Sequence, residues 1–377
     1  MKTNAWILII GTFTFLLACN AFSKKERVET EENISPVPEE TRLLVPIEAG
    51  EVFYKNKKPF GDVINLTGEQ VTGDTIIFKP SEVELQVQGD IVVIKNLRSE
   101  KMFMQFSSPD LSFIRYGDGL RGEGPDEFRY PQIVPTPDSS LLCYLFESTN
   151  QKLYKYHPTG KITPYPYPFS TSSQQMYSDK SIVNIAPDDF LYVETSPTGK
   201  SIYRSSLSDD DSVTVKEVFN LGLNPKRKSW AYYIGDFVVN PKQNRMAYAY
   251  KYFKIIKFMD LEAQTVKVVN FEREEFDEGT LYKIDGMDQN VTHYWGACAG
   301  DEYVYFLYSG RTPYEVAREN SKDNCYIFVE QYDWNGNPVH TYKLDRWGYF
   351  TVDEKNQCIY LVSTNDDDPL FIFRLPE

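Results

Sequence analysis

The chain has 377 residues, with 54 Asp or Glu against 40 Lys or Arg, so its formal charge is −14 and its pI lies near 4.9. A surface of that sign repels phosphate and argues against a nucleic-acid partner. Aromatic residues make up 15% of the chain, ample for a large apolar core.

Met1 and Lys2 form a short basic start, and Trp6 to Ala18 is an uninterrupted apolar run of about a dozen residues, too short to span a bilayer. This pattern predicts a signal peptide over residues 1–18. It ends in Leu16-Leu17-Ala18-Cys19, the lipobox arrangement of bacterial lipoproteins: an apolar pair fills the peptidase cleft, a small residue admits cleavage, and the Cys19 thiol accepts the lipid. Each acyl chain contributes about 0.8 kcal/mol per buried methylene, and more than one makes a stable anchor. Membrane attachment through an N-terminal lipid is therefore expected, in the bacterial cell envelope and at its outer membrane. Residues 19–41 are polar and acidic with Pro36 and Pro38, and read as a flexible tether. Residues 42–377 read as one domain.

Beyond the tether, short alternating or apolar segments recur, each closed by Gly, Pro, Asn or Asp, as expected of antiparallel strands. Residues 81–117 read as a four-stranded meander with two-residue turns. The unit then repeats: 129–168, 181–221, 235–271, 292–345, and a last copy, 347–375, that stops after three strands. The first turns of the six units fall at Asp90, Asp138, Asp188, Lys242, Asp301 and Asp353, intervals of 48 to 59 residues. That period predicts an all-β, six-bladed β-propeller with four-stranded antiparallel blades. An open ring would expose unpaired edges, so an N-terminal strand is expected to close the last blade, from "GDVINLT" at 61–67 or "TIIFKP" at 75–80.

Three features together resemble the TolB-like six-bladed β-propeller lipoproteins of bacterial envelopes: the lipobox at Cys19, the connector "GLRGEGPDEFRYP" at 119–131, and the final third from "VYFLYSG" through "YDWNGNPVHTYKLD" to "TVDEKNQCIYLVS". The resemblance runs over essentially the whole chain after Cys19. It implies the fold and the compartment, and envelope partners of the periplasmic, peptidoglycan-linked kind, without implying an activity.

Gly117, Gly119 and Gly122 stand in G-x-G-x-x-G spacing. A dinucleotide site needs the third glycine to open a helix. Here Gly122 leads to Pro125, Pro131 and another strand, so the glycines are expected to serve turns through positive φ. The "TGKS" at 198–201 has Glu194 where a phosphate-binding loop needs glycine. His157, His293 and His340 have no second ligand at metal spacing. Asp209 to Asp211 and Asp366 to Asp368 read as solvated turns. Cys143, Cys298, Cys325 and Cys358 read as buried apolar residues, although an exported chain could pair them. No cofactor or metal is expected, and the propeller is expected to be a monomer.

In a four-stranded blade, the loops between second and third strands and the connectors between blades share one face. The long ones all fall there: Arg121 and Glu127 in the first connector, Arg227, Trp230, Tyr232 and Tyr233 in the third, Tyr282, Asp285, His293 and Trp295 in and after the fourth, and Arg311 and Tyr314 in the fifth blade. Loops of such length are usually functional or disordered. Their aromatic and arginine content suits capture of a glycan or protein partner. Partner capture without catalysis is the leading expectation. The alternative is a hydrolase with two carboxylates at the channel mouth.

Overall fold

The apolar segments of each repeat pair as antiparallel strands in the computed structural model, which describes residues 46–55, 57–72, 83–97, 99–124, 126–167, 182–208, 212–271 and 290–376. All of these lie in the unit Leu44–Glu377. Blade 1 comprises Val83–Gln88, Ile91–Asn96, Phe103–Ser107 and Phe113–Tyr116, and blade 2 Pro131–Val134, Cys143–Glu147, Lys152–Tyr156 and Ile162–Tyr165. Blade 3 comprises Ile182–Ala186, Asp189–Ser196, Gly199–Leu207 and Val213–Asn220. In blade 4 the strands are Gly235–Asn240, Arg245–Tyr250, Ile255–Met259 and Val266–Asn270, and in blade 5 Thr292–Ala299, Tyr303–Arg311, Ile327–Asp333 and Pro338–Leu344. Blade 6 has Gly348–Asp353, Cys358–Ser363 and Leu370–Arg374. The first strands neighbour one another in this order, and that of blade 6 lies beside that of blade 1, so six blades close a ring.

Each blade is sandwiched between two others, which is why second strands such as Arg245–Tyr250 and Cys358–Ser363 read as nearly continuous apolar runs and are buried throughout. The first turns use residues that tolerate left-handed backbone: Gly89, Asp188 and Asn244 have φ of 59°, 55° and 53°. Among the described residues one α-helix, Pro313–Asn320, interrupts the β pattern; Thr312 and Glu315 form a reciprocal capping box at its start.

Closure by an N-terminal strand is present, but through a different segment from either candidate. Glu69–Gln70 pairs antiparallel with Leu370–Arg374 and completes blade 6. Ile64–Leu66, inside the first candidate, instead adds a fifth, parallel strand to blade 5, and Gly50–Phe53 does the same for blade 4. The second candidate, 75–80, lies outside the described residues. Two polar residues suffice as a latch because the backbone around them is locked. Gly68 N–H donates to Asp345 at 3.2 Å, and Val71 N–H donates to the Leu370 carbonyl at 2.9 Å. A Cβ on Gly68 would stand 2.8 Å from the Phe373 ring.

Strand alternation sorts the loops onto two faces. The first-turn face is knitted together between blades. Lys355 pairs with Asp90 at 2.5 Å, Thr136 donates to Asn184 at 2.7 Å, and Lys242 pairs with Asp301 at 2.9 Å. Asn240 reaches the Gly300 and Asp301 carbonyls at 3.0 Å, and Glu354 accepts from Glu302 and Tyr303 N–H groups at 2.8 Å. The opposite face carries the long loops.

Candidate functional site

The first connector rises over the seam of blades 1 and 2. Its backbone is fixed by Arg121 N–H to the Glu100 carbonyl (2.8 Å), Gly122 N–H to Phe128 (3.0 Å) and Phe128 N–H to Leu120 (2.9 Å). No helix follows Gly122; the next element is the strand Pro131–Val134. The expectation of positive φ at its glycines is corrected, since Gly117, Gly119, Gly122 and Gly124 are absent from the left-handed region. Close approach demands them instead: a Cβ would meet the Tyr156 hydroxyl at 2.6 Å from Gly117, the Phe103 ring at 2.7 Å from Gly119, and the Glu127 carboxylate at 1.8 Å from Gly122. Glu127 thus serves the loop, accepting from Gly124 N–H at 2.8 Å. Arg121 is exposed and, with Leu97, Gly122, Glu123, Phe128, Arg129 and Tyr130, lines a cavity of about 290 Å³.

The aromatics of the third connector lie in one short turn, the 3₁₀ segment Trp230–Tyr233, and are separated by what each packs against. Trp230 is 38% exposed, with the Lys200 ammonium 5.8 Å from its ring centre. Tyr232 is half-buried beneath the Arg227 guanidinium at 5.3 Å. Tyr233 is fully buried, its hydroxyl donating to the Arg227 carbonyl at 2.6 Å and its ring filling the space a Gly199 side chain would take. Tyr233 is a core residue of the blade 3 and blade 4 seam, contrary to its grouping with contact residues.

At the mouth of the channel, blades 4, 5 and 6 bring a second set together. The inner strand Thr292–Ala299 slips register between Tyr294 and Ala297, which aims Trp295 outward at 36% exposure. The Lys251 ammonium sits 4.4 Å from its ring centre and Trp347 meets it edge-on at 5.7 Å. His293 N–H donates to the Lys251 carbonyl at 2.6 Å, while the His293 ring stacks on Tyr308. Burial, assisted by the Lys254 ammonium, holds the His293 imidazole well below its ordinary range, to about 3, so it is neutral near pH 7. Arg311 is 9% exposed; its guanidinium pairs with Glu319, donates to the Tyr326 carbonyl at 2.5 Å, and lies 3.9 Å from the Tyr326 ring centre. It clamps the helix Pro313–Asn320 to the blade and is committed to that task, whereas Tyr314 on the same helix is 65% exposed. Tyr282, Asp285, Cys19 and the acidic turn 209–211 lie outside the described residues.

Sequence reading missed Lys251, Trp347 and Tyr326. Lys251 follows a second strand and Trp347 precedes a first strand, in connections too short to attract notice. Their positions on the long-loop side follow from the same alternation that placed Trp295. Three carboxylates at this end of the blades are held by donors: Glu84 by Lys95 (2.5 Å) and Ile133 N–H (2.7 Å), Glu147 by Arg129 and Tyr130 N–H groups, and Glu330 by Lys254 (2.9 Å), Tyr294 and Tyr332. Glu354, whose carboxyl burial raises, lies on the opposite face. Among the described residues no group of three His, Cys, Asp or Glu gathers at metal-binding distance, and Cys143, Cys298, Cys325 and Cys358 are free thiols.

The sheets and their closure define a six-bladed β-propeller. Residues 218–355 match the model of the TolB-like 6-blade propeller-like family, the family that the sequence resembles. Among solved structures, a member of the duf4221 family from Bacteroides vulgatus aligns with a TM-score of 0.55 at 12% identity, over 82% of this chain and 95% of that one. A protein from Bacteroides fragilis inferred to be exported aligns with a TM-score of 0.52 at 11% identity, over 87% and 99%. At these identities the likeness is one of fold. No curated protein matches the chain.

Proposed function

We propose that the chain is an exported, lipid-anchored protein of the bacterial envelope whose long-loop face captures a protein partner or a glycan without transforming it. The observation that carries this reading is the contrast between the two faces. Polar bonds join neighbouring blades on both. The long-loop face in addition leaves Trp230, Trp295 and Tyr314 at 38%, 36% and 65% exposure. Exposed aromatics of this kind are the residues that dominate binding energy when a partner covers them. Export and lipidation are supported by the apolar leader and the Leu16-Leu17-Ala18-Cys19 sequence, with the B. fragilis fold relative inferred to be exported as a secondary support. The hydrolase alternative draws no support from Glu84, Glu147 and Glu330, which are held by donors, or from Glu354, which lies on the opposite face.

The test has two arms. Photo-crosslinkers placed at Trp230 and Trp295 should capture a defined envelope component that is missed from Lys242 and Lys355 on the first-turn face; capture from the first-turn positions alone overturns the face assignment. Cys19→Ser should abolish fatty-acid labelling and detergent partitioning while leaving the melting temperature unchanged. Unaltered partitioning of that variant refutes lipid anchoring.

A further inference from the structure

The channel-mouth corner formed by Lys251, Trp295 and Trp347 holds a cation with no acid paired to it among the described residues. In this chain, where acids outnumber bases, Lys254 is paired with Glu330, Arg311 with Glu319 and Arg346 with Asp366. Lys251, by contrast, has only rings for company: Trp295 at 4.4 Å and Tyr252 at 5.9 Å from ammonium to ring centre, and no carboxylate within ion-pair distance among the described residues. Its position is not an accident of a long side chain. The backbone is gripped on both sides, Lys251 N–H donating to the Ile234 carbonyl at 2.8 Å and its own carbonyl accepting from His293 at 2.6 Å, so the residue is fixed across the seam of blades 4 and 5. The neighbouring indole is held too: the register slip aims it, and Trp347 buttresses it edge-on at 80°. Arg311, 5.7 Å from the Trp347 ring centre, stiffens that buttress while its own charge is spent on Glu319.

Resting on the reading that the long-loop face binds a ligand, we propose that this corner is a subsite for a uronic-acid residue of an acidic glycan. A uronate offers what the corner lacks on each side. Its carboxylate neutralises the Lys251 ammonium, a charge-assisted hydrogen bond made in a partly desolvated place. Its ring presents C–H groups to the exposed part of the indole, the apolar contact for which Trp is suited. The negative charge of the protein disfavours loose adsorption of polyanions, so recognition depends on this short-range pair and not on a basic field.

The experiment is calorimetric titration of the full chain with oligosaccharides of galacturonate, glucuronate-containing hyaluronan and alginate, each beside its carboxyl-reduced counterpart, and with poly-glutamate. At least one acidic oligosaccharide should bind about tenfold more tightly than its reduced form, the value of one good charge-assisted contact. Lys251→Met should erase that preference, Trp295→Ala should weaken the acidic and reduced forms together, and both variants should melt as the parent does. If acidic and reduced forms bind equally through Trp295, the uronate subsite is refuted and the glycan-binding face stands. If poly-glutamate binds through Lys251 as tightly as any saccharide, the ligand is an acidic peptide and the inference fails. If no saccharide binds and the crosslinkers at Trp230 and Trp295 capture nothing, the face assignment falls with it; if they capture a protein, only the uronate proposal falls.

Discussion

Replacing Tyr233 and Trp230 separately puts the sorting of one 3₁₀ turn to a quantitative test. Three residues apart, these two side chains face opposite surroundings: Tyr233 has no exposed surface, whereas Trp230 is 38% exposed. Tyr233→Ala removes a ring packed on Gly199 in the core of the blade 3 and blade 4 seam, a change that costs about 3–5 kcal/mol for a buried aromatic. It also removes the hydroxyl that donates to the Arg227 carbonyl at 2.6 Å, while the Tyr248 hydroxyl still needs the Tyr233 backbone carbonyl it reaches at 2.5 Å. Tyr233→Phe isolates the hydroxyl and should cost about 1 kcal/mol. Trp230→Ala should stay within about 0.5 kcal/mol, as surface changes do. Guanidinium unfolding followed by far-ultraviolet circular dichroism measures all three, and in a domain of this size about 4 kcal/mol corresponds to a fall of roughly 6 °C in melting temperature. A cost below 1 kcal/mol for Tyr233→Ala, or equal costs for Trp230→Ala and Tyr233→Ala, refutes the division into core and contact residues.

Removing residues through Gln70 strips the fifth strands from blades 4 and 5 and the latch from blade 6, and should lower the melting temperature by about 10 °C or more, whereas removing residues 20–40 should shift it by about 1 °C at most; equal shifts in calorimetry would falsify the closure assignment. His293 has its folded pKa depressed to about 3, so between the ordinary histidine value and that point the unfolded chain binds the extra proton. Stability should therefore fall as pH drops from about 6.5 toward 3, at up to about 1.4 kcal/mol per pH unit from this residue, and His293→Gln should flatten that part of the profile; an unchanged slope in the variant counts against the burial argument. Gly122→Ala should cost about 1 kcal/mol by pushing the Glu127 carboxylate off Gly124 N–H. In a Glu127→Ala background the same change should cost almost nothing, and a full penalty there means the backbone, not Glu127, is the obstacle.

The blades were legible because alternation, strand length and turn residues agree at every repeat; even the two buried faces of Arg245–Tyr250 announce themselves as a nearly continuous apolar run after Arg245. The latch was not, since Glu69–Gln70 is two polar residues whose strand state is imposed by Leu370–Arg374. The capping box at Thr312 and Glu315 was readable as a helix start, yet the surrounding polar loop masked it. Of the expected contact residues, Trp230, Trp295, Tyr314 and Arg121 reach solvent, while Tyr233 and Arg311 are drawn inward by their partners, the Gly199 turn and Glu319. Composition cannot separate these cases. A tyrosine or arginine in a long loop has the same appearance whether it meets a ligand or pins the loop that does.

That dual use explains why the channel mouth took shape only in three dimensions. Trp295 stands out because a register slip breaks the alternation of its strand, Lys251 because its backbone bridges to His293 in the next blade, and Trp347 because blade 6 begins beside it. None of the three lies within forty residues of another, and each belongs to a different blade. A propeller supplies such sites by construction: blade repetition fixes the inner strands around one axis, so a single residue at the long-loop end of each blade is enough to furnish a shared surface. On the first-turn face the same geometry brings together Asp90 with Lys355 and Lys242 with Asp301, pairs that satisfy each other. On the long-loop side Lys254 with Glu330 and Arg311 with Glu319 do the same, whereas Lys251 meets no carboxylate among the described residues.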